Sequence, residues 1–126
     1  MLAMIVDDSR VMRTILTRVM SELGFEVIQA SDGAEALAEL EAREVGDQPD
    51  VVLVDWNMPV MDGLTFIKRC RSNPDFRDIA RMMVTTESEP TQIVRALAAG
   101  AHEYVIKPFT AEVIAGKLEM LGLIAA

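Results

Sequence analysis

Short apolar runs alternate with amphipathic segments along this chain. Apolar runs of the length of buried strands occupy residues 1–6, 25–30, 51–55, 82–85 and 103–106. Between the first two runs, apolar side chains recur at the spacing of one helix face, at Met12, Ile15, Leu16, Val19 and Leu23. The alternation predicts five strand–helix units and therefore an α/β fold, a doubly wound parallel sheet with helices on both faces.

Capping residues indicate where the predicted helices begin and end. Asp32 and Glu35 have the spacing of a capping box, which opens a second helix that runs to about Arg43. Gly24 and Gly100 are typical of the ends of the first and fourth helices. The other predicted helix starts are Ser9, the residues after Gly63, Pro90 and Thr110.

Polar side chains stand directly at the ends of the predicted strands. Asp7 and Asp8 follow the first strand, Asp55 ends the third, Thr85 ends the fourth and Lys107 follows the fifth. The carboxyl ends of parallel strands share one edge of the sheet, and ligands bind there. The pattern therefore predicts that three carboxylates, a hydroxyl and an ammonium group share one crevice.

Three ionised carboxylates in one crevice repel each other. At about 4 Å and an effective dielectric constant near 20, each pair costs roughly 4 kcal/mol. Either one carboxyl group takes up a proton, or a divalent cation binds, and an all-oxygen site with few ligands suits Mg²⁺. A carboxylate beside Mg²⁺ can attack phosphorus and form an aspartyl phosphate. We therefore interpret Asp55 as a phosphoryl acceptor, with Lys107 and Thr85 contacting the phosphoryl group.

Composition and charge narrow the classes of function. The 126 residues suit one domain, and 51% hydrophobic with 25% charged residues is typical of a folded chain. A net charge of −8 argues against a nucleic-acid partner. The N-terminus has neither a basic leader nor a long apolar run, so we expect no membrane insertion. The single cysteine, Cys70, excludes an internal disulfide, and we expect a cytoplasmic protein.

The motifs "IVDDSRVMR", "VDWNMPVMDG", "MVTTE" and "YVIKPF" closely resemble the receiver domains of two-component response regulators. The resemblance covers essentially residues 1–126, with no output domain after them, and is greatest to the single-domain chemotaxis regulators. Those regulators are themselves standard examples of the flavodoxin-like (βα)5 fold with strand order 2-1-3-4-5. The resemblance, not the periodicity, therefore implies that order for this chain.

The resemblance also implies a role for each matching residue. Asp55 is the expected phosphoacceptor. Mg²⁺ is expected to bind Asp8, Asp55 and the backbone carbonyl of Asn57 directly, with Asp7 acting mainly through water. Lys107 is expected to contact the phosphoryl group from a cis Lys107–Pro108 peptide.

A switch is implied by the same resemblance. Thr85 is expected to bond the phosphoryl group, so that Tyr104 turns inward and remodels the surface of the fourth helix, fifth strand and fifth helix. Asn57 and Glu87 are expected to set the lifetime of the phosphoryl group at seconds to minutes. The stretch Ser88–Thr91 is acidic where the enteric family member has lysines, so the output surface differs.

The sequence leaves several functions open. The first is a stand-alone regulator, not an enzyme acting on other substrates, that is phosphorylated by a histidine kinase or phosphotransfer domain and binds a target, the flagellar motor switch being the expected one. The second is a phosphate sink or relay without a target. A Mg²⁺-dependent phosphatase is a weaker third, and the absence of G-x-x-x-x-G-K-[ST] argues against an NTPase. Arg10 and Arg13 either contact the kinase or simply form a solvated helix start.

Overall fold

Strands and helices alternate along the chain as the apolar pattern predicts. The computed structural model describes residues 1–126. The strands are β1 (Leu2–Val6), β2 (Glu26–Ala30), β3 (Val51–Val54), β4 (Ala80–Thr85) and β5 (Glu103–Ile106). The helices are α1 (Arg10–Glu22), α2 (Gly33–Ala42), α3 (Gly63–Ser72), α4 (Pro90–Ala99) and α5 (Ala111–Met120). None of these helices combines the length and the apolar character that crossing a membrane requires.

Small corrections to the predicted boundaries concern the strand ends. β4 begins at Ala80, two residues earlier than predicted, because the backbone of that segment already pairs with β3. β3 ends at Val54, so Asp55 lies just beyond the strand. The predicted loop after α2 contains one turn of 3-10 helix, Val45–Asp47.

All five strands are parallel and follow the order β2-β1-β3-β4-β5. Met4 of β1 lies opposite Val52 of β3, and Val54 lies opposite Met83 of β4. The two halves of the sheet therefore diverge from β1 and β3, and this reversal of strand order creates a crevice at their carboxyl ends. The structure confirms the predicted fold class and the order implied by the resemblance.

The core forms two layers, one on each face of the sheet. Met4 and Val54 point into the layer closed by α2, α3 and α4, which has 19 buried residues. Ile5 and Leu53 point into the layer of 12 buried residues closed by α1 and α5. Adjacent strand residues thus serve opposite layers, and all four residues of β3 are fully buried. A strand buried on both faces is held rigidly, and this rigidity extends to the residue at its tip.

The helix starts are stabilised by side-chain caps where the sequence predicts them. The Oγ of Ser9 accepts a hydrogen bond from the Met12 N–H at 3.2 Å. The Oδ1 of Asp32 accepts one from the Glu35 N–H at 2.8 Å. The second half of the predicted capping box is wrong, because the Glu35 carboxylate instead accepts the Ser31 hydroxyl at 2.6 Å.

A buried arginine organises the amino-terminal edge of the sheet. Arg81 in β4 is only 3% exposed, and its guanidinium contacts no carboxylate. It donates to the carbonyls of Gly100 at 2.9 Å, Ile79 at 3.0 Å and Arg77 at 3.1 Å. The neighbouring His102 accepts the Arg81 N–H on its Nδ1 at 2.9 Å. These bonds join the loop before β4 to the end of α4, far from the carboxyl edge.

Candidate functional site

The predicted site residues meet at the carboxyl edge of the sheet. Backbone hydrogen bonds continue one residue past the strand ends there. The Asp55 N–H donates to the Val6 carbonyl at 2.9 Å, and the Lys107 N–H donates to the Thr85 carbonyl at 2.8 Å. Each strand tip is therefore anchored to its neighbour, which limits the positions that the Asp55 and Lys107 side chains can take.

Three carboxylates form the centre of the site. One ligand oxygen from each of Asp7, Asp8 and Asp55 lies within 4.8 Å of the others. Asp7 is buried, at 1% exposed, Asp55 is partly buried and Asp8 is exposed. The predicted crowding of carboxylates is thus present. Repulsion between them is stronger near the buried Asp7 than near the exposed Asp8, because less water screens the charges there.

Lys107 is the cation that neutralises part of this charge. Its Nζ lies 2.8 Å from Asp7 Oδ2 and 3.5 Å from Asp55 Oδ2, and its side chain is 11% exposed. This ammonium group contacts two of the three clustered carboxylates and carries one positive charge, so the cluster retains negative charge. Burial raises the pKa of Asp55; the Lys107 charge opposes this rise and the Asp7 charge adds to it.

Backbone N–H groups hold one oxygen of the Asp7 carboxylate and one of the Asp55 carboxylate. Asp7 Oδ1 accepts the Ser9 N–H at 2.9 Å, and Asp55 Oδ1 accepts the Trp56 N–H at 2.8 Å. The Oδ2 atoms of Asp7 and Asp55 face Lys107 instead. No protein group donates a hydrogen bond to the Asp8 carboxylate, so its oxygens are available for a ligand.

The donor set fits Mg²⁺. All of the converging groups are hard oxygen ligands on three clustered carboxylates, and no cysteine or histidine is among them. The retained negative charge favours a divalent cation, and the exposed Asp8 leaves room for the waters that Mg²⁺ keeps. Of the predicted ligands, Asp7, Asp8 and Asp55 lie together, and Asn57 follows two residues after Asp55 on the same loop.

Glu87 connects the other predicted residues to one another. Its Oε1 accepts the Asn57 amide at 3.0 Å. Its backbone carbonyl accepts the Tyr104 hydroxyl at 2.7 Å, and its N–H donates to the Thr85 hydroxyl at 3.4 Å. Burial, with smaller contributions from the charges of Glu87 and Asp55, raises the pKa of Tyr104. Sequence reasoning paired Asn57 with Glu87 and Thr85 with Tyr104, and it missed that both pairs meet at Glu87.

Gly63 is a residue whose importance sequence reasoning also missed. A Cβ atom there would lie 2.1 Å from the Asp55 backbone carbonyl oxygen and 2.9 Å from its carbon. Only glycine lets α3 start this close to the acceptor, and its N–H donates to the Trp56 carbonyl at 2.8 Å. The signal was present in the motif, where the glycine follows the Asp62 cap.

Two further features surround the acceptor. The Lys107–Pro108 peptide is cis, as the resemblance implies. The indole of Trp56, next to Asp55, is 5% exposed and lies under the Arg95 guanidinium of α4, which is 5.9 Å from the ring centroid. Trp56 therefore contacts both the acceptor strand and α4.

Residues 3–119 match the sequence family described as the response regulator receiver domain. Together with the fold and the acidic crevice, this match shows that the chain belongs to the response regulator receiver family.

Named relatives place it more closely within that family. The chain is 41% identical over 119 residues to the chemotaxis protein CheY1 of Helicobacter pylori, with 94% of each covered. It is 39% identical over 117 residues to a chemotaxis protein CheY homolog of Campylobacter jejuni, covering 92% of this chain and 88% of that protein. The solved structure of chemotaxis protein CheY4 of Vibrio cholerae superposes with a TM-score of 0.84 at 34% identity, covering 94% of this chain and 96% of that one. The family resemblance stated from the motifs is confirmed.

Proposed function

We propose that this chain is a single-domain response regulator that accepts a phosphoryl group on Asp55 and signals by binding a target protein. One observation carries the proposal. A partly buried carboxylate at a rigid strand tip lies 3.5 Å from Lys107 and is clustered with Asp7 and Asp8. This arrangement holds a nucleophilic oxygen beside a cation while further acids remain free to bind a metal ion.

The proposed reaction is a phosphoryl transfer from a histidine kinase, a histidine phosphotransfer domain or a small acyl phosphate. An Asp55 carboxylate oxygen attacks phosphorus and forms a new P–O bond, while the P–N or P–O bond to the donor breaks. A histidine donor leaves as imidazole, and an acyl phosphate leaves as a carboxylate. Lys107 stabilises the charge on the transferring oxygens through its ammonium group.

The residues of the crevice would hold one Mg²⁺ ion. Asp8, Asp55 and the Asn57 backbone carbonyl would bind it directly, and Asp7 mainly through water. When bound, the ion would neutralise charge on the phosphoryl oxygens. Because the pKa of Asp55 is raised by burial and by the Asp7 charge, added positive charge would also keep the nucleophile ionised.

The proposed switch acts through Thr85, Glu87 and Tyr104. Phosphorylation adds about −1.5 to −2 charges. A hydrogen bond from the Thr85 hydroxyl to the phosphoryl group, worth about 1.5–3 kcal/mol, would draw this residue towards Asp55. The Thr85 hydroxyl now accepts the Glu87 N–H, and Tyr104 is bonded to the Glu87 carbonyl, so the change would reach Tyr104 through one residue. An equilibrium shift of a few kcal/mol is enough to change which state dominates.

The proposed target surface lies between α4, β5 and α5. A groove of about 320 Å³ there is lined by Ile93, Leu97, His102, Glu103, Tyr104, Ile106 and Lys117. Exposed apolar side chains on and beside it, such as Leu97 at 45% and Val113 at 44%, suit a protein partner. The names of the relatives support a role in chemotaxis, and we propose the flagellar motor switch as the target.

The cycle would end by hydrolysis of the phosphoryl group. Water attacks phosphorus, the P–O bond to Asp55 breaks, and the carboxylate and inorganic phosphate are released with one proton. The linked pair Asn57 and Glu87 borders the acceptor and would set the lifetime at seconds to minutes. The chain would therefore work in the cytoplasm as a signalling protein that turns over only its own phosphoryl group, and not as an enzyme for other substrates.

The first test follows Trp56 fluorescence in metal-free protein during a Mg²⁺ titration and then on addition of acetyl phosphate, with intact-mass spectrometry of the product. We expect quenching by Mg²⁺ and a second, Mg²⁺-dependent change that coincides with one added phosphoryl group. The matched control is Asp55→Asn, which keeps the side-chain shape and the Trp56 hydrogen bond but cannot accept the phosphoryl group.

Two results would count against this function. Absence in wild type of both the second fluorescence change and the added mass, with acetyl phosphate still in excess, would exclude a competent acceptor. Phosphorylation that persists in Asp55→Asn would place the acceptor elsewhere. The phosphorylated protein should bind a motor-switch peptide more tightly than the unmodified protein does. Equal binding would mean that Asp55 accepts a phosphoryl group but that the motor switch is not the target, as expected of a phosphate sink.

A further inference from the structure

We infer that Arg13 of α1 is a positioning residue that holds the end of β1, and with it Asp7, in the geometry that binds the metal ion. The inference rests on the proposed function, because it assigns a residue to the same site. Arg13 Nη1 donates to the Asp7 backbone carbonyl at 2.7 Å. No backbone N–H donates to that carbonyl, so Arg13 is its hydrogen-bond donor.

A second set of contacts keeps the guanidinium in place. Arg13 Nε donates to Gln29 Oε1 at 3.3 Å, and Gln29 Nε2 donates to Thr17 Oγ1 at 2.8 Å. Gln29 belongs to β2 and lies opposite Ile5 of β1. The planar guanidinium therefore binds the tip of β1 with one nitrogen and the neighbouring strand with another. The contact restrains the segment from which both Asp7 and Asp8 project.

The inward contact distinguishes Arg13 from Arg10 of the same helix. The Arg10 side chain is exposed and takes part in no hydrogen bond or ion pair. The sequence left open whether both arginines contact a kinase or form a solvated helix start. The structure engages Arg13 with the site and leaves Arg10 in solvent, so Arg10 is a matched control of equal charge.

Charge and position predict opposite effects on metal affinity. A guanidinium near three carboxylates repels a cation, so removing its charge should tighten Mg²⁺ binding if electrostatics alone acts. Removing the restraint on Asp7 should weaken binding, because the ligands must then be ordered when the ion binds. The sign of the change in Mg²⁺ affinity therefore distinguishes the two roles.

The experiment measures the Mg²⁺ dissociation constant by Trp56 quenching in wild type, Arg13→Met, Arg10→Met and Gln29→Leu. We expect Arg13→Met to bind Mg²⁺ about 5- to 10-fold more weakly than wild type. We expect Arg10→Met to be unchanged or up to about 2-fold tighter, as for loss of an exposed charge. Gln29→Leu removes the hydrogen bond between Arg13 and Gln29 without altering charge, and we expect it to weaken Mg²⁺ binding about 2- to 3-fold.

Thermal unfolding in EDTA identifies variants that have lost the fold. If Arg13→Met does not fold, the Mg²⁺ affinity of Gln29→Leu still tests the inference. Unchanged or tighter Mg²⁺ binding in both Arg13→Met and Gln29→Leu would overturn the inference while leaving the proposed function intact. Failure of wild type itself to bind Mg²⁺ or to be phosphorylated by acetyl phosphate would overturn both. Weaker binding in these two variants, with Arg10→Met unaffected, would support the inference.

Discussion

Each of the two edges of the sheet holds a cation that is largely shielded from solvent, but the partners of the two cations differ. At the amino-terminal edge, Arg81 is 3% exposed and is satisfied by neutral carbonyls, including those of Gly100 and Ile79. At the carboxyl edge, the Lys107 side chain is 11% exposed and faces the carboxyl groups of Asp7 and Asp55. One cation completes a hydrogen-bond network, whereas the other only partly offsets an excess of negative charge.

The difference separates a structural edge from a reactive one. Backbone carbonyls around Arg81 have no alternative protonation state, so this network has one stable arrangement. The carboxylates around Lys107 can instead be neutralised by a proton or a divalent cation, and either relieves their repulsion. A phosphoryl group would add negative charge there and so strengthen the need for a cation. Residual electrostatic strain is therefore concentrated at the edge where we propose that the chemistry occurs.

The largest expected effect is at the structural edge. Arg81→Met should lower the free energy of unfolding by about 3 kcal/mol, because several buried carbonyls lose their donor. Mg²⁺ should not restore this loss, and its affinity should stay within about 2-fold of wild type, since the two edges are far apart. Urea unfolding with and without Mg²⁺ measures both quantities. A loss below about 1 kcal/mol would mean that water replaces the guanidinium there.

Lys107→Met is the corresponding change at the reactive edge. In EDTA we expect a loss of about 2 kcal/mol, because the buried Asp7 carboxylate loses its ion pair. Saturating Mg²⁺ should recover most of this loss, since a divalent cation can take over the neutralisation. The same urea experiments test it. Equal losses with and without Mg²⁺ would remove the contrast between Lys107 and Arg81.

A smaller effect, of the opposite sign, is expected at Asp55. Its raised pKa means that ionising this carboxyl group costs stability in the folded protein. The cost is absent in acid and develops as the pH rises from the ordinary aspartate pKa through the raised value. Asp55→Asn should therefore stabilise the metal-free protein by roughly 1–2 kcal/mol at neutral pH, with the gain fading towards acid.

Unfolding of wild type and Asp55→Asn in EDTA, compared from about pH 4, near the ordinary aspartate pKa, to neutrality, measures this gain. A gain that grows in acid would have the wrong sign. If wild type were more stable than Asp55→Asn at neutral pH, the attraction between Lys107 and Asp55 would outweigh the repulsion from Asp7.

The smallest expected effect concerns Arg95 and Trp56. The guanidinium lies 5.9 Å from the ring centroid, and at an exposed position such a cation–π contact contributes about 0.5–1 kcal/mol. Arg95→Ala should lower stability by no more than this while clearly shifting the emission of the single tryptophan. If the spectrum is unchanged, Trp56 does not sense α4, and its response to phosphorylation reports the acceptor loop alone.

Local signals predicted the elements of this fold well. The apolar runs located all five strands within one or two residues, most plainly for the three central strands, which are almost entirely buried between the two helix layers. Ser9, Asp32 and Thr110 each cap a helix as their residue types indicate. Val60 shows where local preference fails, because this β-branched residue has φ 68°, a left-handed conformation that local propensity disfavours. The conformation of Val60 is therefore set by the path of the loop between β3 and α3 and not by the preference of the residue itself.

The sequence predicted which residues form the candidate site but not which hydrogen bonds join them. Asp7, Asp55 and Lys107 follow strands, and parallel strands bring their ends together, so their meeting could be inferred. The Asn57–Glu87 hydrogen bond joins residues on two separate loops. Its existence depends on the orientation of two flexible side chains, which no spacing in the sequence encodes.

By itself, the sequence determined the order of strands and helices, the caps, and the set of charged groups delivered to one edge, because these depend on short-range periodicity and on parallel topology. Only the tertiary structure decided the partner of each group. Arg81 binds carbonyls while Lys107 binds carboxylates, and Arg13 turns inward while Arg10 does not. The physical reason is that a long cationic side chain reaches several acceptors, and packing of distant segments selects which of them is buried beside it.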